Sequence, residues 1–316
     1  MKIIHSHNFQ DLKGPFGVAL GFFDGVHLGH QAVIKKAVGY AKGASIENLV
    51  ITFDRSPKQV FRGLKREFLT PMTEKIKLLK ELGVDNVLIL PFDEKLIKTS
   101  AEEFIQNYLV ALDVAFISVG FDFRFGVGGA GDVFALQRYT KNFHVSVLEK
   151  QVVDKMKISS TVLREYLAKG EADAVVKMLG RQYSISGTIG YGKQLGRTIG
   201  FATANIQPSD DYIIPASGVY ATLIYVDGKI HVSMTNIGHN PTFNATQRLS
   251  IETHIFDFNT DIYEKEVRLE FVQRIRGEQK FANIDELVAK LKQDEVQTRK
   301  ILALIKQIDP GRSEKV

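Results

Sequence analysis

The hydrophobic pattern of the chain changes once, near residue 180, and this change limits the folds that the chain can adopt. Before it, short apolar runs such as NLVITF (48–53) alternate with segments of helical period. After it, segments such as GVYATLIYV (218–226) favour extended strands, each followed by turn residues. The first pattern predicts a parallel sheet covered by helices, and the second predicts a small antiparallel barrel with a final helix. We therefore predict two domains, residues 1–180 and 181–316.

Composition restricts the environment and the partners of the chain. With 44% apolar and 24% charged residues it is typical of globular proteins, and without cysteine it has no disulfide or thiolate chemistry. No apolar run is long enough to cross a bilayer, and the first residues do not resemble a signal peptide, so we expect a cytoplasmic protein with no membrane partner. The net charge of +5 comes from basic residues interspersed with acidic ones. This favours small polyanions such as nucleotides, and we expect no nucleic-acid partner. The sequence does not determine the oligomeric state and is compatible with a monomer.

Residues 21–30, GFFDGVHLGH, join a predicted strand to a predicted helix through a glycine-containing turn. The apolar run at 18–23 is typical of a buried strand, and the helical spacing that follows stops at Gly43. The first N–H groups of a helix lack partners within the helix and favour an anion. His27 and His30 would stand beside that anion.

Several interpretations of the two histidines have to be weighed. An imidazole N–H can donate to a phosphate oxygen during phosphoryl or nucleotidyl transfer. A zinc site would need further ligands, but cysteine is absent and the other six histidines are scattered. Either histidine alone would be interpreted as a capping or surface residue. The pair in this glycine context favours phosphate binding, although the chain has no P-loop motif.

Polar stretches follow three of the predicted strands, where a parallel sheet binds ligands. They are TFDRSP (52–57), GFDFRFG (120–126) and ISSTVLR (158–164). In the last, Ser160 and Thr161 supply hydroxyls at a helix start, and Arg164 supplies a guanidinium suited to phosphate. Taken alone, this stretch would be interpreted as a helix cap with a surface arginine.

In the second half, GTIGYGKQLGRTIGFATAN (187–205) combines glycines with Lys193 and Arg197. Thr203 and Asn205 face one side of an extended segment, and two hard oxygen ligands suit Mg²⁺ held with nucleotide phosphates. A barrel corner with a satisfied polar pair is an equal alternative. Glu252 lies in a predicted strand, where a partly buried carboxylate could accept a hydroxyl proton and an exposed one would be a solubility charge.

Six of these motifs, in order, resemble those of one family. GFFDGVHLGH resembles the HxGH signature of nucleotidyltransferases, and with GFDFRFG and ISSTVLR it is similar to the N-terminal module of the prokaryotic bifunctional riboflavin kinase/FMN adenylyltransferase family. GRTIGFATAN, TNIGHNPTF and ETHIFDF resemble its kinase elements GRxLGFPTAN, NIGxxPTF and ETHxxDF. The resemblance covers nearly the whole chain. Three positions, Arg55, Gly129 and Ala202, depart from the residues usual in the family.

The resemblance implies an α/β nucleotidyltransferase domain with a Rossmann-like parallel sheet, followed by a riboflavin kinase β-barrel. It implies that ATP and riboflavin give FMN, that a second ATP and FMN give FAD and pyrophosphate, and that Mg²⁺ assists. The implied catalytic residues are His27, His30 and Glu252. The implied ATP and FMN contacts of the first domain are Gly21, Phe22, Phe23, Asp24, Gly29, Asp122, Ser160, Thr161 and Arg164. The implied ATP and flavin contacts of the second are Gly192, Lys193, Arg197, Thr203 and Asn205, the last two also being Mg²⁺ ligands.

Two other functions are compatible with parts of this pattern. The first is an adenylyltransferase for a non-flavin phosphate, with the barrel as an accessory module. The second is a non-enzymatic binder of flavin or nucleic acid, suggested by the sequence pI of about 9.1 and the predicted barrel. Flavin products formed from riboflavin and ATP would distinguish the bifunctional enzyme from both.

Overall fold

The computed structural model describes residues 1–9, 12–56, 60, 67–139, 141–154, 156–192, 195–240 and 248–308. The chain forms two compact units, Met1–Ser160 and Thr161–Val316. The boundary between the units along the chain therefore lies about 20 residues before the change in hydrophobic pattern at residue 180. The first unit contains the predicted parallel sheet, and the second contains the predicted barrel and its final helix.

The first unit is built on a sheet of six parallel strands in the order β1-β4-β3-β2-β5-β6. The strands are β1 (Lys2–His5), β2 (Phe16–Leu20), β3 (Glu47–Phe53), β4 (Asn86–Leu90), β5 (Val114–Gly120) and β6 (His144–Leu148). A short hairpin, β7 (Val152–Val153) and β8 (Met156–Lys157), follows the sheet. The predicted fold class is thus confirmed, while β1 was not predicted. The apolar run at 18–23 was expected to be strand throughout, but β2 ends at Leu20.

Both faces of this sheet are buried, as the apolar runs predicted. Leu49 and Ile51 pack into one cluster, whereas Val50 between them packs into the other with Ile34 of the first helix. Each such side chain stabilises the fold by about 1.5–3 kcal/mol relative to an exposed one. The helices among the described residues of this unit are α1 (Leu28–Ala44), α2 (Met72–Glu81), α3 (Glu94–Lys98), α4 (Ala101–Phe104) and α5 (Val133–Gln137). A π-helical segment, Ile105–Val110, continues α4, and a short 3₁₀ turn spans Val127–Gly129.

Helix ends follow the predicted chemistry with small shifts. Ser100 forms the predicted capping box with Glu103. Thr70 was predicted to cap α2 ahead of Pro71, but Pro71 itself occupies the cap position and the helix begins at Met72. Helix α1 passes Gly43 and ends at Ala44, because Ser45 adopts the left-handed conformation that was expected of a glycine.

The second unit contains a closed antiparallel barrel in the order β10-β13-β12-β11-β14-β9. Its strands are β9 (Tyr183–Gly190), β10 (Ala204–Pro208), β11 (Gly218–Val226), β12 (Lys229–Asn240), β13 (Arg248–Ile255) and β14 (Glu266–Arg276). The predicted Asp227–Gly228 hairpin joins β11 to β12, and both residues have positive φ, as a type I′ turn requires. Strands β9 and β11 begin and end at the predicted residues.

In the part of the second unit that the structure describes, four helices lie wholly or largely within it. They are α6 (Ser160–Lys169), α7 (Ala172–Leu179), α8 (Leu195–Thr198) and α9 (Ile284–Ile308). Asn283 caps α9 as predicted, because its side chain accepts from the N–H of Glu286. Helix α9 packs against the barrel through Ile301 and Leu302, which join Leu223 and Ile230 in an apolar cluster.

A buried ion pair also attaches α9 to the barrel, and it yields a stability prediction. Asp294 is fully buried and accepts from Nε of Arg276 at 2.8 Å. Replacing Asp294 by alanine leaves the Arg276 cation, whose side chain is 16% exposed, without this acceptor, so we expect the second unit to lose about 3 kcal/mol of unfolding free energy. Chemical denaturation followed by circular dichroism measures this. Lys265→Ala, at a more exposed pair with Asp227, is the control, and its effect should stay within about 0.5 kcal/mol. Equal effects of the two variants would contradict the prediction.

Candidate active sites

The turn between β2 and α1, together with the first residues of α1, forms the first candidate site; we call residues 21–30 the histidine turn. Phe23, Gly25 and Val26 have φ values of 53°, 94° and 39°. Positive φ costs conformational free energy at a non-glycine residue such as Phe23 or Val26, so the surrounding structure has to stabilise this turn. This conformation turns the chain sharply, so that α1 begins at Leu28 with His27 as its N-cap.

The two histidines of the turn lie against each other. Their rings are stacked with centroids 3.5 Å apart. The Phe23 and His30 rings lie edge to face, with centroids 5.4 Å apart. Nδ1 of His27 accepts from the backbone N–H of His30 at 3.2 Å. A neutral His27 ring therefore carries its proton on Nε2, where it is a donor. The histidine pair places imidazole donors beside a helix N-terminus, and this arrangement is typical of a site that binds an anion.

Two glycines of the turn are required by close packing. A Cβ on Gly29 would lie 3.2 Å from the His27 ring, and one on Gly21 would lie 2.9 Å from the Phe23 ring. Side chains at these positions would displace the rings that define the site. The two glycines thus leave room for these rings, and their contacts with ATP or FMN stay predictions.

Asp24 anchors the turn from inside the unit. Its side chain is 2% exposed, and its carboxylate accepts from the backbone N–H of Thr70 at 3.1 Å. Its carbonyl accepts from the hydroxyl of Ser160 at 2.8 Å. The structure thus brings Ser160 to the histidine turn. A direct contact of Asp24 with ATP or FMN stays a prediction.

Other predicted residues of the first site lie further along the chain. Asp122 follows β5, the neighbour of β2 in the sheet, and its exposed carboxylate is 3.5 Å from Nζ of Lys157. Thr161 and Arg164 lie on α6, within the second compact unit. Phe22 and Gly21 belong to the histidine turn itself. The binding roles of these residues stay predictions.

The second candidate site lies on the outside of the barrel around Glu252. In the strand register Glu252 is opposite Asn205 of β10 and Asn236 of β12. Directly opposite residues share one face of a sheet, so their polar side chains project together. The neighbour Thr253 points inward, where it is fully buried and bonded to Thr235 at 2.9 Å.

A cavity of about 590 Å³ opens at this face. Glu252, Asn236 and Thr203 are among its polar lining residues, together with Glu278 and Arg276, and its apolar walls include Met234, Phe281 and Leu287. Such a mixture is typical of pockets that bind an organic ring carrying polar groups. A second cavity of about 480 Å³ lies beside it and shares Thr203, with Tyr263 and Phe258 among its walls. Thr203 therefore stands where the two cavities meet.

Asn205 packs closely against the glycine-rich segment. A Cβ on Gly192 would lie 2.0 Å from Nδ2 of Asn205. Lys193 lies outside the described residues. The backbone of Arg197 lies in α8. Contacts of Lys193 and Arg197 with phosphate stay predictions.

Comparison with known proteins assigns both units. Residues 10–162 match the family model described as FAD synthetase, and residues 179–302 match the model described as riboflavin kinase. The bifunctional riboflavin kinase/FMN adenylyltransferase of Listeria monocytogenes is 42% identical over 90% of this chain and 92% of its own length. That of Escherichia coli is 36% identical over 97% of this chain and 99% of its own. The chain belongs to the bifunctional riboflavin kinase/FMN adenylyltransferase family.

One solved structure has the same fold over almost the whole chain. It is described as a macrolide-efflux protein from Streptococcus pneumoniae, and it is 32% identical with a TM-score of 0.88 over 95% of this chain and 99% of its own. In the described part of this riboflavin kinase/FMN adenylyltransferase chain, no helix has the length and apolar character needed to cross a membrane.

Three polar features of this family member were not predicted from the individual residues. Lys75 is fully buried and donates to the carbonyl of Phe22 at 2.7 Å, inside the histidine turn. Asn236 faces Glu252 across the barrel strands. Nδ1 of His254 lies 2.7 Å from the carbonyl oxygen of Ala202, and since a carbonyl only accepts, the proton is on Nδ1. The motifs TNIGHNPTF and ETHIFDF contain Asn236 and His254, so the family pattern was the available signal for these two.

Proposed function

We propose that the histidine turn carries out FMN adenylylation and that the outer face of the barrel around Glu252 carries out riboflavin phosphorylation. As a member of its family the chain converts riboflavin and ATP to FMN, and FMN and ATP to FAD with release of pyrophosphate. The observation that carries the proposal is the separation of two polar sites on two different folds, each with the residue types that its reaction needs. One has donors for phosphate oxygens, and the other has a carboxylate in a cavity.

In adenylylation, a phosphate oxygen of FMN attacks the α-phosphorus of ATP, and pyrophosphate leaves in line. The nucleophile is already an anion, so no general base is required. The work of the chain is to align two anions and to stabilise charge on the oxygens around phosphorus. The N–H groups at the start of α1 and the imidazole donors of His27 and His30 are suited to this task. Ser160 and Asp24 support the proposal because their bond ties the ISSTVLR motif to the turn.

In phosphorylation, the terminal hydroxyl of the riboflavin ribityl chain attacks the γ-phosphorus of ATP, and ADP leaves in line as the bond to the β,γ-bridging oxygen breaks. A neutral hydroxyl is a weak nucleophile, so the proton needs an acceptor as the bond forms. Glu252 lines the 590 Å³ cavity, and in the strand register it lies directly opposite Asn205 and Asn236. We assign it as this acceptor, with the flavin ring in the apolar part of the same cavity.

Mg²⁺ fits the donor chemistry of Thr203, which lines both cavities, and of Asn205 in β10. Thr203 and Asn205 present hydroxyl and amide oxygens, which are hard ligands, and nucleotide phosphates would complete the coordination. Among the described residues, no cluster of three histidine, cysteine, aspartate or glutamate side chains is suited to hold a metal. When bound, Mg²⁺ supplies charge neutralisation on the β- and γ-phosphates. The Asn205 side chain packs against Gly192, which limits the positions that its amide can take.

We keep two further parts of the prediction as proposals. A boundary at residue 180 between the catalytic domains is supported by the riboflavin kinase match, which begins at residue 179, although the compact units meet at Ser160 and Thr161. A cytoplasmic location is supported by the lack of cysteine and by the use of ATP in both steps.

One assay tests the assignment as a whole. The purified protein is incubated with riboflavin, ATP and Mg²⁺, and FMN and FAD are resolved by chromatography over time. We expect FMN to appear first and FAD to follow. FAD formed from added FMN but no FMN formed from riboflavin would contradict the kinase assignment. No flavin product from either substrate would contradict both.

The contact between Gly192 and Asn205 provides a sharper test of the kinase site. In Gly192→Ala the new methyl group displaces the Asn205 amide, and we expect FMN formation to fall by about 10²-fold, as expected for misplacement by about 1 Å. Initial rates with riboflavin and ATP measure this, and FAD formation from added FMN should not change. Gly39→Ala is the matched control, because a Cβ there meets nothing within 4 Å. Full kinase activity of Gly192→Ala would contradict a role for the Asn205 amide in its observed position.

A further inference from the structure

Lys75 is the most completely buried charged side chain near either site, and neither proposed reaction uses it directly. It lies on α2 and is 1% exposed. Burial lowers the pKa of Lys75 to about 8, and the nearby Asp24 carboxylate acts in the opposite direction. Its ammonium form therefore predominates at pH 7. A buried cation is less favourable for stability than an apolar residue of the same length, so its presence beside a catalytic turn suggests a functional task.

The ammonium group is directed at the backbone of the histidine turn. Nζ donates to the carbonyl of Phe22 at 2.7 Å and lies 4.6 Å over the Phe22 ring. The hydroxyl of Thr52, at the end of β3, donates to the same carbonyl at 3.0 Å. Two donors from different elements thus converge on a single backbone oxygen. A charge-assisted bond is about twice as strong as a neutral one, so Lys75 is the stronger of the two.

The Phe22 carbonyl directly precedes the strained part of the turn. Phe23, with φ of 53°, is the next residue, and its ring contacts His30. The segment before α2 holds the following residue as well, since the N–H of Thr70 donates to Asp24. Helix α2 and the segment that precedes it therefore bind the turn at two residues, Phe22 and Asp24. Between these two points lies the residue whose ring packs on His30.

We propose that Lys75 is a positioning residue for adenylyl transfer, which fixes the Phe22 carbonyl and thereby places Phe23 and the two histidine rings. The inference rests on the proposed role of the histidine turn. Lys75 does not touch the reacting phosphates in this role. Its loss lets the turn relax, so that the donors are misplaced at the moment when charge develops in the reaction.

The main test compares Lys75→Met with the wild-type chain. Methionine keeps an apolar stem of similar length and removes the ammonium. We expect kcat for FAD formation from FMN to fall by about 10- to 100-fold, with KM for ATP changed less than about threefold, because only the transition state needs exact donor placement. FMN formation from riboflavin should be unchanged. Lys77→Met, at the exposed end of a pair with Glu74, is the control on the same helix.

A double-mutant cycle separates positioning from a general loss of stability. Thr52→Val removes the second donor to the Phe22 carbonyl, and alone it should lower kcat by about three- to tenfold. If both residues act through that carbonyl, the fold-loss in kcat of the double variant will differ from the product of the fold-losses of the two single variants. Circular dichroism at the assay temperature confirms that each variant is folded. If Lys75→Met does not fold, Thr52→Val decides the test.

Three outcomes would overturn the inference. They are a folded Lys75→Met with kcat within twofold of wild type, a loss confined to KM, and an unchanged kcat in Thr52→Val. Failure of the proposed site is a different result. In that case His30→Ala would retain full FAD formation whatever happens at Lys75, so the two failures are distinguishable.

Discussion

Replacing His30 by alanine is expected to lower the rate of FAD formation from FMN by about 10²-fold or more and to leave FMN formation from riboflavin unchanged. His30 lies in the first turn of α1, and its ring is stacked on His27 with centroids 3.5 Å apart. Removing the ring deletes one oriented donor and also frees the His27 ring from its neighbour. Adenylylation has little other catalytic chemistry, so the loss of donor placement should dominate. Separate initial-rate assays with FMN and with riboflavin measure the two steps.

The control for His30→Ala is a histidine elsewhere in the same unit. His144 lies at the exposed start of β6, and His144→Ala should leave both activities unchanged. The backbone bond from the His30 N–H to His27 survives the His30 substitution, so the N-terminus of α1 should stay formed. Equal loss of both activities in a folded His30→Ala would contradict the assignment of the two reactions to different units.

The architecture was predictable because local signals and long-range packing agree. Continuous apolar runs such as β3 and β4, which alternate with helical segments, favour a parallel sheet covered on both faces. Asp227 and Gly228 both adopt positive φ, and few other residue pairs do so at low cost. The Ser100 and Glu103 side chains bond within one helical turn, so their geometry depends on nothing distant. These features are encoded within about ten residues of sequence each.

The parts that sequence reasoning missed depend on contacts between distant segments. Strand β1 is four residues long and partly exposed, so its pattern alone is too short to identify it; pairing with β4 defines it. Lys75 looks like a surface lysine of an amphipathic helix, and only the position of Phe22, 53 residues earlier, shows that it is buried. Phe23 was expected in a strand, but the turn places it in the left-handed region. In each case the partner is not adjacent in sequence.

The candidate sites show the same division. The proximity of the two histidines at the start of α1 was predictable because their spacing and the glycines lie within one motif. The pairing of Glu252 with Asn236 and Asn205 was not, because it arises from the register of three barrel strands. The register also determines which polar side chains lie opposite the Glu252 carboxylate. Asn205, one of the two predicted Mg²⁺ ligands, is opposite Glu252 in the register, and the cavity that Glu252 lines also has apolar walls.

This setting leads to the second large effect. Replacing Glu252 by glutamine is expected to lower FMN formation by about 10²- to 10⁴-fold, because the amide keeps the shape of the side chain but cannot accept the hydroxyl proton. FAD formation from added FMN should stay unchanged, and chromatography of both reactions measures this. Glu266→Gln, at the exposed start of β14, is the control for the loss of one carboxylate from the barrel. KM for riboflavin should change little, since glutamine leaves the cavity walls in place. Near-normal phosphorylation of riboflavin by Glu252→Gln would show that the proton leaves by another route and would reduce Glu252 to a structural residue of the barrel.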